Sequence, residues 1–169
     1  MVDSRGALAQ DGRRAERLEL RVPSTATQLP AVRAMAGDHA IRMDYDLDAV
    51  EDLRQAVDEA CATLAQIAAG DAPLTVIFET TRAGLHIEAW VPTTEGTDVP
   101  RDGFGWAILA TLVDAVDGRR ATQADVPAGD GSATPVGLIA MDKYLPGQHP
   151  DELGAGPGNE VGQNLSVAR

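Results

Sequence analysis

The chain has 169 residues, is 44% apolar, and carries 26 acidic against 14 basic side chains, a formal net charge of −12. That length suits one domain with tails and leaves little room for two, and the acidity argues against direct nucleic-acid binding, which needs clustered Lys and Arg. No stretch approaches the roughly 18–20 uninterrupted apolar residues of a membrane span, and residues 1–16 lack the apolar centre of a signal peptide, so a cytoplasmic protein is expected. The single cysteine, Cys61, excludes an internal disulfide. It has no Cys or His at ligand spacing and His39, His86 and His149 are scattered, so no metal site is expected.

Residues 1–16 show no periodicity and are expected to form a flexible arm. RLELRVP (17–23) alternates Leu18, Leu20 and Val22 with Arg17, Glu19 and Arg21, the period of a half-buried strand. A helix follows, with Ser24 or Thr25 as cap, Pro30 in its first turn, and Leu29, Val32, Met35, Ala36 and His39 or Ala40 at helical spacing. From Asp46 to Ala69 the apolar residues Leu47, Val50, Leu53, Val57, Cys61, Leu64 and Ala68 recur every three or four positions. This predicts a long amphipathic helix, capped by Asp46 or Asp48 and ended by Gly70.

APLTVIFE and GLHIEAWV, joined by TTRA, read as a hairpin. After the polar loop 92–103, a helix is predicted from Phe104 to Val116, then strands from Arg119 to Val126 and Pro135 to Lys143. The Gly- and Pro-rich segment 146–169 is expected to be a loose tail. The order β-α-α-β-β-α-β-β over residues 17–145 predicts an α+β fold, a two-layer sandwich with three helices on one face of a mostly antiparallel mixed sheet.

Within the long helix, placing Val57 at the centre of the buried stripe turns Glu59 and Thr63 to the opposite face, near the line of Asp52 and Gln66. Glu59 and Thr63 are four apart and so are neighbours that can address one ligand; an ordinary solvated face explains the same pattern. Asp58 is expected to face solvent. Asp44, Asp46, Asp48, Glu51 and Asp52 open the helix, where capping and the helix dipole account for them. A contact of Glu51 and Asp52 with a basic partner is the other candidate role.

The order of elements, LDAVEDLRQAVDEACATL (47–64) and GFGWAILATLVDAVD (103–117) resemble RsbW-type anti-sigma factors of the GHKL, or Bergerat-fold, ATPase and kinase superfamily. The resemblance spans Arg17 to about Lys143. It implies that Glu59 stands at the acidic position that acts as base toward an attacking hydroxyl, that Thr63 takes the place of a magnesium-binding Asn, and that Gly103 and Gly105 belong to the phosphate loop. ATP and magnesium are the implied cofactors. The implied partners are a sigma factor and a STAS-type anti-anti-sigma antagonist that competes for the protein, which acts as a homodimer in stress-response partner switching.

Two departures bear on the chemistry. Thr63 offers a short hydroxyl where Asn offers a carbonyl, a poorer magnesium ligand. Trp90, Val91 and Pro92 stand where an Asp-x-Gly-x-Gly box should begin, and Glu95, Gly96 and Asp98 do not restore it. Phosphoryl transfer depends on positioning and on charge neutralisation by metal. The expectation is therefore an anti-sigma factor with weak or lost ATP binding; an active serine kinase acting on the antagonist is the alternative.

Overall fold

The computed structural model describes residues 16–149. Most of the arm and of the tail expected from the sequence lies outside them. Strand β1 (Arg17–Pro23) leads through a short 3-10 turn to α1 (Leu29–Arg42) and α2 (Leu47–Ile67). The hairpin β2 (Pro73–Thr80) and β3 (Gly84–Pro92), helix α3 (Phe104–Leu112), β4 (Ala115–Thr122) and β5 (Pro135–Tyr144) follow. The five strands lie in the order β1-β2-β3-β5-β4, and every neighbouring pair is antiparallel.

The alternation in β1 places Leu18, Leu20 and Val22 against the helices and leaves Arg17, Glu19 and Arg21 on the other face. Val76, Phe78, Ile87, Ala89, Ile139 and Met141 continue the inner face across the sheet, and meet Val32, Ala36 and Ala40 of α1 and Val50, Leu53, Val57, Cys61 and Leu64 of α2. Full burial of a side chain such as Leu53 is worth about 1.5–3 kcal/mol, so this stripe holds α2 to the sheet.

Asp46 caps α2, its Oδ1 accepting from Ala49 N at 2.8 Å. At the other end Ala69 N donates to the Pro92 carbonyl at 2.8 Å, pinning the exit of α2 to the end of β3, and Gly70 takes the left-handed turn at φ 56°. Tyr45 fixes the turn between α1 and α2: its hydroxyl donates to the Lys143 carbonyl and accepts from Leu85 N at 3.0 Å.

Several expectations change. Thr25 precedes the 3-10 turn but makes no cap bond, its hydroxyl pairing with Thr27 instead. Leu47, counted in the buried stripe, is exposed. The third helix stops at Leu112 rather than Val116, and β4 begins at Ala115 rather than Arg119. Pairing with β5 decides that boundary: Asp114 N donates to the Asp142 carbonyl at 2.9 Å and Asp114 Oδ2 accepts from Tyr144 N at 2.6 Å. The β-branched Val113 and Val116 lose little by leaving the helix.

A second, smaller core sits on the far face of the sheet, where Trp90, Val126, Val136 and Leu138 pack together beneath the segment between β4 and β5. A Cβ on Gly129 would strike the Gln123 carbonyl, so this covering turn closes only with glycine there.

Candidate functional site

Helix α3 packs along the face of α2 that the helical projection leaves outside the buried stripe. Asp52 lies at the C-terminal end of α3, where Lys143 Nζ donates to the Leu112 carbonyl at 2.8 Å and to Asp52 Oδ2 at 3.2 Å. Glu59, two turns further along α2, lies at the N-terminal end. A Cβ added to Gly105 would collide with the Glu59 Oε1 atom, so the glycine lets the carboxylate reach the first turn of α3. The two helices therefore run antiparallel, and the sequence pair Glu59 and Gly105 is brought together.

Glu59 is half-buried and has no hydrogen-bond or ion-pair partner among the described residues. The start of α3 has no side-chain cap, and a negative group there complements the positive end of the helix dipole. The Glu59 carboxylate thus lies where a negative charge is favoured. Thr63 is half-buried one turn further on and makes no hydrogen bond among the described residues. Gly103 occupies the N-cap position of α3 in an extended conformation, and a Cβ there would meet nothing within 4 Å.

At the end of β3, where the resemblance would call for an adenine carboxylate, the residues present do not fit the group. Trp90 is turned to the far face of the sheet, 1% exposed, with Nε1 donating to the Pro127 carbonyl at 3.0 Å and the Arg21 guanidinium 5.9 Å from its ring centre. Glu88 lies on the same far face beside His86, Glu95 is exposed, and Asp98 pairs with Arg120 at 2.9 Å. The space under the end of α2 is filled. A Cβ on Gly137 would lie 2.6 Å from Ile67 Cδ1, 3.4 Å from Val99 Cγ2 and 3.5 Å from Thr93 Cγ2. No group of three or more His, Cys, Asp or Glu is placed to hold a metal ion among the described residues.

An open groove of about 630 Å³ runs beside α3, lined by Asp98, Val99, Arg101, Asp102, Trp106 and Val116 among others. Glu59 and Thr63 do not line it. Trp106 seats over Gly118, whose added Cβ would lie 2.8 Å from the indole Cη2. Asp117 beside the groove pairs with Arg119 at 2.6 Å.

Glu51 is exposed and pairs with Arg54, whose guanidinium lies across Gly37 of α1. Asp52, paired with Lys143, serves the helix packing. Asp58 is not a free solvent residue: Arg33 of α1 holds it at 2.8 Å, and burial still pushes its carboxyl upward against the pull of that guanidinium. Burial also pushes the Cys61 thiol up to about 12, which leaves it an unreactive core residue. The link from Lys143 to Asp52 and Leu112 was missed in the sequence, where a lone lysine far from both gives no signal.

No helix of the described residues is long and apolar enough to cross a membrane. A family model described as the histidine kinase-like ATPase domain matches residues 22–126. Two curated relatives named anti-sigma-F factor RsbW, from Mycobacterium tuberculosis strains CDC 1551 / Oshkosh and ATCC 25618 / H37Rv, are each 35% identical over 107 residues. That alignment covers 61% of this chain, which spans 64% of the length of those relatives.

Proposed function

The chain belongs to the histidine kinase-like ATPase family, and from that premise we propose that it is an anti-sigma factor that holds a sigma factor and gives it up to an anti-anti-sigma antagonist, with ATP binding weak or lost. The observation that carries the first part is the likeness to two proteins named as anti-sigma-F factors over the stretch that contains α2 and α3. The second part is supported by Trp90 and Val91, which stand where the resemblance calls for an adenine carboxylate, one turned to the far face and the other a buried core residue, and by Ile67 and Val99, which pack beneath the end of α2. Holding a partner needs only a rigid, complementary surface, and the sandwich provides one without nucleotide chemistry.

The rival reading, an active serine kinase acting on the antagonist, draws on one observation: Glu59 stands against the first turn of α3 without a partner among the described residues. Its weakness is at the metal and at the base. Thr63 replaces an amide carbonyl with a hydroxyl, and no carboxylate awaits the adenine.

Pairwise calorimetry of the purified chain against each sigma factor of its source tests the proposal. Saturable binding to one of them, reversed by a STAS-type antagonist, is expected. Failure to bind any sigma factor would remove the reading. Transfer of labelled phosphate from ATP to the antagonist, lost in Glu59→Ala, would favour the kinase.

A further inference from the structure

We propose that the corner made by the end of α1, the turn after it and the first two turns of α2 is a docking surface for a basic amphipathic helix of the sigma factor. The inference rests on the anti-sigma reading and adds to it the surface and the chemistry of the segment that binds there.

Among the described residues the exposed large apolar side chains are Ile41 at 56%, Leu47 at 79% and Phe104 at 83%. Ile41 and Leu47 flank the same turn. Leu47 opens a helix whose Val50, Leu53, Val57 and Leu64 are buried and whose Ile67 is partly buried, so its exposure is not explained by packing. Residues 38–54 also carry six carboxylates, Asp38, Asp44, Asp46, Asp48, Glu51 and Asp52, against Arg42 and Arg54. Arg42 pairs with Asp38, Arg54 with Glu51 and Lys143 with Asp52, and carboxylates still outnumber cations around the two aliphatic side chains.

The corner is also rigid. Tyr45 in the middle of the turn is buried and anchored to both β3 and β5, through Leu85 N and the Lys143 carbonyl. Asp46 caps the helix that presents Leu47. A preformed surface loses little conformational freedom on binding.

The charge complement of this surface is a segment rich in Lys and Arg, and proteins that bind DNA present such segments to phosphate. A helix with apolar residues three or four apart would set two of them on Ile41 and Leu47 while its basic flanks meet Asp48 and share Glu51 with Arg54. Occupying that helix would withhold it from DNA.

The test titrates the full chain calorimetrically with a short helical peptide of leucine and lysine, its lysines on one face. Three variants are compared with the wild type: Ile41→Asp with Leu47→Asp, Asp48→Asn with Glu51→Gln, and Glu19→Gln with Glu79→Gln. The last pair removes the same charge from the open face of the sheet. The first two variants are expected to weaken binding by about tenfold or more and the third by less than about twofold. Loss in the first variant despite its added negative charge would isolate the apolar anchors. Equal loss in all three, or none in the first, would overturn the proposal.

The sigma factor found by pairwise calorimetry is then titrated against the same variants. Undiminished sigma binding by Ile41→Asp with Leu47→Asp would overturn the docking surface and leave the anti-sigma reading standing. Absence of sigma binding by the wild type would overturn that reading and the occupant named here, while the peptide titration separately decides whether the corner takes a basic helix. Circular dichroism of each variant checks that the fold is kept.

Discussion

His39 and His86 lie on opposite faces of the sheet and respond to pH in opposite senses. His39, on the inner face of α1, is 1% exposed and packs on Phe78, with ring centres 5.3 Å apart. Burial and then the Arg42 guanidinium hold it below its ordinary range, against smaller upward pulls from the Met35 carbonyl, Glu16 and Asp38. The folded state therefore binds fewer protons here than the unfolded chain, and stability is lost as pH falls from the ordinary imidazole range through the folded value. His86 sits between Asp142 at 2.7 Å and Glu88 at 3.7 Å on the open face of the sheet, and the Asp142 hydrogen bond raises it. Its contribution is present at acid pH and fades as pH rises through its folded value. Urea unfolding of His39→Gln and His86→Gln between about pH 5 and 8 separates them. The first variant should lose part of the destabilisation of the wild type at acid pH, and the second part of its decline toward alkaline pH. Parallel profiles for both variants and the wild type would show that neither ring senses its surroundings as described.

At the scale of elements, α2 was the most legible part of the chain because its stripe persists through 21 residues and its cap sits one position before it. The helical projection also set Asp52 and Glu59 on one face, and α3 covers both. What covers that face was not legible, since the approach of α3 depends on contacts remote in sequence: Gly105 beneath Glu59, and Lys143 reaching Asp52 and Leu112. The α3 to β4 boundary was misread for the same reason, because Val113 and Val116 suit a helix or a strand and only pairing with β5 chooses. Lys143 ties these elements together, so Lys143→Met should cost about 1.5–3 kcal/mol by leaving the Leu112 carbonyl and Asp52 without their charged donor. Asp52→Asn should cost less, because the lysine keeps the carbonyl. Denaturant midpoints measure both, and equal costs would mean that the ion pair, not the carbonyl contact, holds α3.

At the scale of the whole molecule, the antiparallel sheet and its three helices bring Glu59 to Gly105 at the start of α3, with Gly103 at its N-cap, but leave Trp90 on the other face of the sheet. At the start of α3, where the resemblance would put phosphate, the Glu59 carboxylate lies against Gly105. Ile67, Val99 and Thr93 pack around Gly137 under the end of α2, and Trp90 is turned away to a separate core. On the proposed reading, the acidic excess speeds encounter with a basic partner, so association should slow as salt rises. The most direct test is the affinity of the sigma factor for the full chain measured with and without Mg·ATP at about 1 mM, near the weak limit of specific binding. Saturable sigma binding of the same strength in both conditions is the expected result. No sigma binding, or binding that appears only with Mg·ATP, would contradict the account.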